Sequence, residues 1–280
     1  MRAVELEERT DLEMLPAQKP GARKASDILR CESVVVDFDG FKALQGMNFT
    51  LRQGELRFLI GPNGAGKTTL LDVICGKVKP ASGRVLFRGE IDLTKRREHQ
   101  IAELGIGRKF QAPSIFPSLT VREHLEIAMR QDRGVFATLT AKMTPEDEDR
   151  IAQQLRMIGL EAKAGWKAGS LSHGEKQWLE IGMMLMQEPE VLLLDEPAAG
   201  MTDRETEKTG MLLREIARKR SVIVVEHDME FVRNFASAVT VMHEGKLLAE
   251  GSVDDVQRDE RVMEVYLGRR RDADADRSTA

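Results

Sequence analysis

The segment Gly61-Pro62-Asn63-Gly64-Ala65-Gly66-Lys67-Thr68 constrains this chain more than any other. It fits GxxxxGK[ST] and follows an apolar run, Leu56–Ile60, that reads as a strand. After it comes a helical pattern ending at Cys75, with Gly76 as its C-cap and Pro80 just beyond. Glycines let backbone N–H groups converge on phosphate oxygens, and a helix N-terminus adds a favourable dipole. Lys67 is then placed to reach terminal phosphates, and the Thr68 hydroxyl to ligate Mg²⁺. A glycine-rich turn that merely contains a lysine fits the complete strand–loop–helix setting poorly.

A second signal is Leu192-Leu193-Leu194-Asp195-Glu196. An uninterrupted apolar run, Val191–Leu194, suits a parallel strand buried on both faces. Two acids at its end are costly to desolvate unless paired or bound to metal. Beside a phosphate loop, Asp195 would orient Mg²⁺ or its water, and Glu196 the water attacking a γ-phosphate. A third signal, Leu171-Ser172-His173-Gly174-Glu175, is by itself only a good helix start. With Gln111 before it and His227 at the end of the strand-like run Val222–Val225, it completes an ordered set.

Around these motifs the chain alternates strands (Ser33–Phe38, Met47–Leu51, Arg84–Arg88) with helices. Thr120-Val121-Arg122-Glu123 and Thr202-Asp203-Arg204-Glu205 are capping boxes, opening helices to about Met129 and Lys219. Further helices read as Pro145–Ile158 and His173–Met186. Met183, Met184 and Met186 in the last are read as core filler. The expected fold is α/β with a parallel-sheet core, split by a helical insertion. Residues 1–27 carry eleven charges and lack the apolar segment of a secretory signal; they and residues 269–280 are expected to be disordered. The net charge of −4 argues against a nucleic-acid partner. No apolar run approaches the ~18 residues of a membrane-spanning helix. Cys31 and Cys75 show neither disulfide-framework nor zinc spacing and are read as free thiols.

Taken together, the ordered motifs from Ile28 to Gly268 resemble the ATP-binding cassette (ABC) ATPases. The resemblance places Walker A at Gly61–Thr68, the Q-loop at Gln111, the signature at Leu171–Gln177 and Walker B at Val191–Asp195. It makes Glu196 catalytic, Ala199-Gly200-Met201-Thr202 the D-loop and His227 the switch. It implies a P-loop NTPase fold with an antiparallel β subdomain. The nucleotide-binding core would comprise residues 28–111 and 187–268, and the helical subdomain residues 112–186. By the same resemblance Phe38 stacks on adenine, and Thr69 joins Gly61–Thr68 in binding ATP. Ser172, His173, Gly174 and Glu175 face the ATP of an opposing subunit, while Gln111 joins Thr68 and Asp195 at Mg²⁺. Two departures stand out: His173 and Glu175 where the family usually reads LSGGQ, and AGMT in place of SALD.

Ala198–Met201, Glu226-His227-Asp228-Met229 and Val265–Gly268 look like ATPases of branched-chain amino-acid-type importers. The run Leu171–Met186 is more similar still to the ATP-binding subunit of urea importers. The implied partners are integral membrane permeases docking near Ala112–Leu119 and a second ABC ATPase, identical or different. A periplasmic solute-binding protein would act indirectly. The implied place is peripheral, on the cytoplasmic face of the inner (plasma) membrane. Three alternatives stay open: a branched-chain amino-acid importer or lipid exporter of the same subfamily, a soluble ABC ATPase, and an interaction module with a degenerate nucleotide site. Intact Lys67, Asp195, Glu196 and His227 argue against the last.

Overall fold

The computed structural model describes residues 26–109, 115–129 and 143–265. In chain order the elements begin β1 (Asp27–Phe38), β2 (Phe41–Arg52), β3 (Leu56–Ile60), α1 (Lys67–Ile74), β4 (Ser82–Phe87) and β5 (Ile91–Asp92). Next come α2 (Glu98–Glu103), β6 (Ile106–Arg108), α3 (Val121–Ala128), α4 (Pro145–Ile158) and α5 (His173–Met186). The chain then forms β7 (Val191–Asp195), α6 (Asp203–Ala217), β8 (Ser221–Val225) and α7 (Met229–Phe235). It closes with β9 (Ala238–His243), β10 (Lys246–Gly251) and α8 (Val253–Arg258).

Two sheets result. One is antiparallel, in the order β2-β1-β4-β5; the other runs β10-β9-β3-β8-β7-β6, parallel from β9 to β6 with β10 antiparallel at its edge. Strand alternation decides what each face of the parallel sheet buries. Phe58, Leu192, Leu194, Val222 and Val224 pack with helical residues such as Leu125, Ile151, Ile158, Leu179 and Leu213. The intervening Leu59, Leu193, Ile223 and Val225 pack with Leu29, Val36, Leu44 and Phe87 of the antiparallel sheet and with Leu70 and Ile74 of α1. Both faces are covered, which explains the unbroken apolar runs in β7 and β8. All five residues of β3, β7 and β8 are buried.

The first hairpin is longer than the sequence indicates. Alternation breaks at Ser33, whose φ is +48°, where β1 shifts register against β2 and β4, and Gly46 interrupts β2 at φ +76°. Only the halves Ser33–Phe38 and Met47–Leu51 therefore read as strands. Asp27, expected in a disordered tail, pairs with Arg52 and opens β1. Residues 1–25 of that tail and residues 266–280 lie outside the described residues. Both foreseen capping boxes form at Thr120 and Thr202, and Thr144 and Ser252 cap α4 and α8 in the same way. Among the described residues no helix is long and apolar enough to cross a membrane.

Candidate nucleotide site

The loop between β3 and α1 is shaped by backbone that only glycine accommodates. Gly61 has φ +147°, and a Cβ there would lie 2.1 Å from the Met242 carbonyl oxygen. Gly66, the N-cap of α1, has φ +95°, and a Cβ there would lie 2.5 Å from the Ala43 carbonyl oxygen. The β9–β10 turn braces this loop: Gly245 N–H donates to the Ala65 carbonyl at 3.0 Å, and Gln45 N–H donates to the Gly245 carbonyl at 2.9 Å. No side chain caps α1, and no acid occupies its first turn, so its leading N–H groups are directed at whatever enters from the loop. That is the arrangement of an anion site.

A cleft of about 230 Å³ opens there, lined by Phe41, Ala43, Asn63–Thr69, Glu196, Val225 and His227. Lys67 is buried at its base, donating to the Gly61 and Pro62 carbonyls at 2.7 and 3.0 Å. The aromatic residue lining the cleft is Phe41, 65% exposed. The two phenylalanines face each other across the β1–β2 turn, Phe38 being 48% exposed, so both rings stand at this end of the hairpin.

Asp195 and Glu196 leave the end of β7 in different directions. Thr68 Oγ1 donates to Asp195 Oδ2 at 3.1 Å, while the buried Asp195 Oδ1 has no hydrogen-bond partner. Burial raises the Asp195 pKa, opposed by the Thr68 hydroxyl and by Arg108 and Lys67. An orphaned buried carboxylate oxygen beside a threonine hydroxyl and a phosphate cradle fits a hard divalent cation, which takes oxygen ligands and shares them with phosphates. Among the described residues no cluster of three or more His, Cys, Asp and Glu forms a competing metal site. Gln111, the third expected Mg²⁺ ligand, lies outside the described residues.

Glu196 sits at φ +50°, a left-handed backbone uncommon for a residue with a side chain. Its N–H donates to the Val225 carbonyl at 2.9 Å, tying it to the neighbouring strand end that carries His227. Glu196 Oε1 and His227 Nε2 lie 2.6 Å apart. A carboxylate accepts, so Nε2 carries the proton. Strain of this kind gathers where geometry is held for use.

Sequence reading missed Glu226. It is buried and accepts from the Ala198 N–H at 3.2 Å and the His227 N–H at 3.3 Å. Burial pushes its pKa up. A carboxylate directly after the apolar run Val222–Val225 was the available signal. Also missed was the buried Lys109, whose Nζ meets Gln177 Oε1 and lies 3.3 Å from Glu180 Oε2 on α5.

The signature residues lie outside the cleft. Ser172 caps α5, with Glu175 N–H donating to its Oγ at 3.2 Å and Glu175 Oε2 accepting from its N–H at 3.1 Å. Lys163 Nζ meets Glu175 at 2.6 Å. Ser172 Oγ also donates to Glu205 Oε1 at 2.9 Å, and a Cβ on Gly174 would lie 2.6 Å from that same oxygen. His173 Nε2 lies 3.2 Å from the Ala199 carbonyl.

Comparison with known proteins accords with this geometry. A family model described as ABC transporter matches residues 44–199, and one described as branched-chain amino acid ATP-binding cassette transporter matches residues 246–272. The chain is 34% identical over 250 residues to the high-affinity branched-chain amino acid transport ATP-binding protein LivG of Salmonella typhimurium, covering 86% of this chain and 98% of that one. It is 33% identical over 248 residues to the probable LivG of Archaeoglobus fulgidus, covering 86% and 95%. Among solved structures, the ADP conformation of MJ1267, an ATP-binding cassette of an ABC transporter, aligns with a TM-score of 0.74 at 32% identity, covering 87% and 99%. The chain belongs to the ABC transporter family, as an ATPase subunit that couples ATP hydrolysis to transport.

Proposed function

We propose that this chain drives solute import by hydrolysing ATP at a head-to-tail interface between two ATPase subunits. The observation that carries this reading is the short Glu196–His227 pair at the mouth of the phosphate loop, with the signature helix of the same chain outside that cleft. A second subunit's Ser172–Glu175 would complete each site. Lys67 and the α1 amides hold the phosphates, and Phe41 offers a face for the base. Glu196 orients and deprotonates the attacking water, and the His227 Nε2–H holds its carboxylate in place. Thr68 and Asp195, with Gln111, would hold Mg²⁺, whose chemistry is to neutralise charge on the β- and γ-phosphates. ATP stabilises the closed dimer by contacts that hydrolysis removes. Residues 112–119 remain the proposed dock for a permease helix.

The solute is bound by partner subunits, so this chain reports it only indirectly. Relatives named for branched-chain amino acid transport support that solute class. A second reading, urea, rests on the wording His173-Gly174-Glu175-Lys176-Gln177-Trp178-Leu179-Glu180. Co-purification with the permeases and binding protein, followed by ATPase assay with leucine or urea, separates the two: the cognate solute stimulates turnover. For the chemistry, Glu196→Gln should retain ATP binding and lose on the order of 10²–10⁴ in hydrolysis. Near-normal turnover in that variant would remove Glu196 from its role.

A further inference from the structure

The turn after Glu196 is gripped from two sides by groups outside the hydrolytic pair. Glu226 accepts from the Ala198 N–H, and the His173 ring lies against the Ala199 carbonyl. A carbonyl can only accept, so this contact uses the Nε2–H tautomer of His173, while the Gln177 amide nitrogen lies 3.5 Å from the same Nε2. The same Glu226 also accepts from the backbone N–H of His227, the residue bonded to Glu196. On the far side, Ser172 binds Glu205 in the first turn of α6, fixing the other end of the same loop. One continuous set of contacts thus runs from the signature turn through residues 198–199 to the switch histidine.

We propose that His173 and Glu226 are positioning residues that clamp the Ala198–Ala199 turn from either side, joining the signature half-site this subunit lends to its partner with the hydrolytic half-site it keeps. The inference rests on the head-to-tail reading above. It assigns the histidine that departs from the LSGGQ pattern a role in ordering the loop in place of a phosphate contact. His173 acts through the Ala199 carbonyl, and Glu226 acts through two main-chain N–H groups that set the Glu196–His227 geometry.

The test is ATPase kinetics of the full chain assembled with its permeases. His173→Phe keeps ring volume and removes the donor; His173→Gln restores a donor at similar reach; Glu226→Gln leaves a single acceptor for two N–H groups. A lost positioning hydrogen bond should lower kcat by about 3- to 10-fold. For His173→Phe the KM for ATP should stay within about twofold, and His173→Gln should recover most of the loss. A direct phosphate contact would instead raise KM, and that result overturns the proposal. The double variant His173→Phe/Glu226→Gln should be about as slow as the slower single, because both act on one turn. Losses that multiply, or single variants within twofold of the unmodified chain, also overturn it. His173 is exposed, so its variants keep the test available if Glu226→Gln fails to fold. ATP-dependent dimer formation by Glu196→Gln, measured in parallel, tests the head-to-tail reading separately: its absence sinks that reading whatever the kinetics show.

Discussion

Lys109→Met probes a charge pair that joins the end of β6 to α5. The two side chains are 8% and 9% exposed, with Nζ 3.3 Å from Glu180 Oε2. At an effective dielectric of about 20, that separation corresponds to about 5 kcal/mol of attraction, a gross figure before desolvation. Methionine preserves the length of the side chain but leaves a buried carboxylate without its cation. Breaking such a pair typically costs about 3–5 kcal/mol. Glu180 has other interactions to fall back on, so the lower end, about 3 kcal/mol, is expected. For a domain of this size that corresponds to a drop of roughly 6–12 °C in melting temperature. The melt should be run without nucleotide, because a ligand bound to the native state would mask the shift. Lys109→Met/Glu180→Leu, which removes both charges, should recover most of the loss. A single variant within about 0.5 kcal/mol of the unmodified chain would mean the pair is no stronger than a surface pair, and the reasoning from burial would be wrong.

Asp195→Asn should abolish Mg²⁺-dependent hydrolysis yet raise the melting temperature of the metal-free chain, since it removes a desolvated charge. The sign follows from the raised pKa: the folded state holds the Asp195 proton more tightly than the unfolded chain, so its contribution is greatest below the ordinary carboxylate range and fades as pH rises through the folded pKa. Chemical denaturation across that range should show a flatter pH dependence in the variant; an unchanged profile would count against it. Phe41→Ala should raise the KM for ATP about 5- to 160-fold while Phe38→Ala leaves it near normal, the loss of one base–aromatic stack being about 1–3 kcal/mol. The opposite asymmetry would assign the stack to Phe38, and equal effects would refute a stack on Phe41 alone. Gly66→Ala should remove nucleotide binding in equilibrium dialysis, because its Cβ would meet the Ala43 carbonyl and a strained φ together.

What could be read from sequence divides along physical lines. The phosphate loop, β7 and the two capping boxes are local: their residue types and spacing describe contacts within a few positions. The same holds for α4 and α5, whose boundaries fall where they were expected. That Phe41 pairs with Phe38 and lines the cleft depends on where the hairpin turns, and bulged strands hide that from an alternation pattern. Nothing in the sequence marks Lys109, Glu180 and Glu226 as buried, because charged residues are seldom buried without a partner and their partners come from other segments. The short α2 and the C-terminal elements α7, β9, β10 and α8 carry too little periodicity to stand out, and tertiary packing decides them.

The bracing of the phosphate loop by the β9–β10 turn carries a consequence for biosynthesis. The loop is translated before β9, yet its shape is held by the Met242 carbonyl beside Gly61 and by the hydrogen bond from Gly245 to Ala65. Strand β9 is also the parallel neighbour of β3, the strand that launches the loop. A nascent chain that has emerged only as far as β8 therefore carries the whole motif as text without the wall that forms it. Holding nucleotide in this loop thus waits on β9 and the β9–β10 turn, which lie far from the motif in sequence.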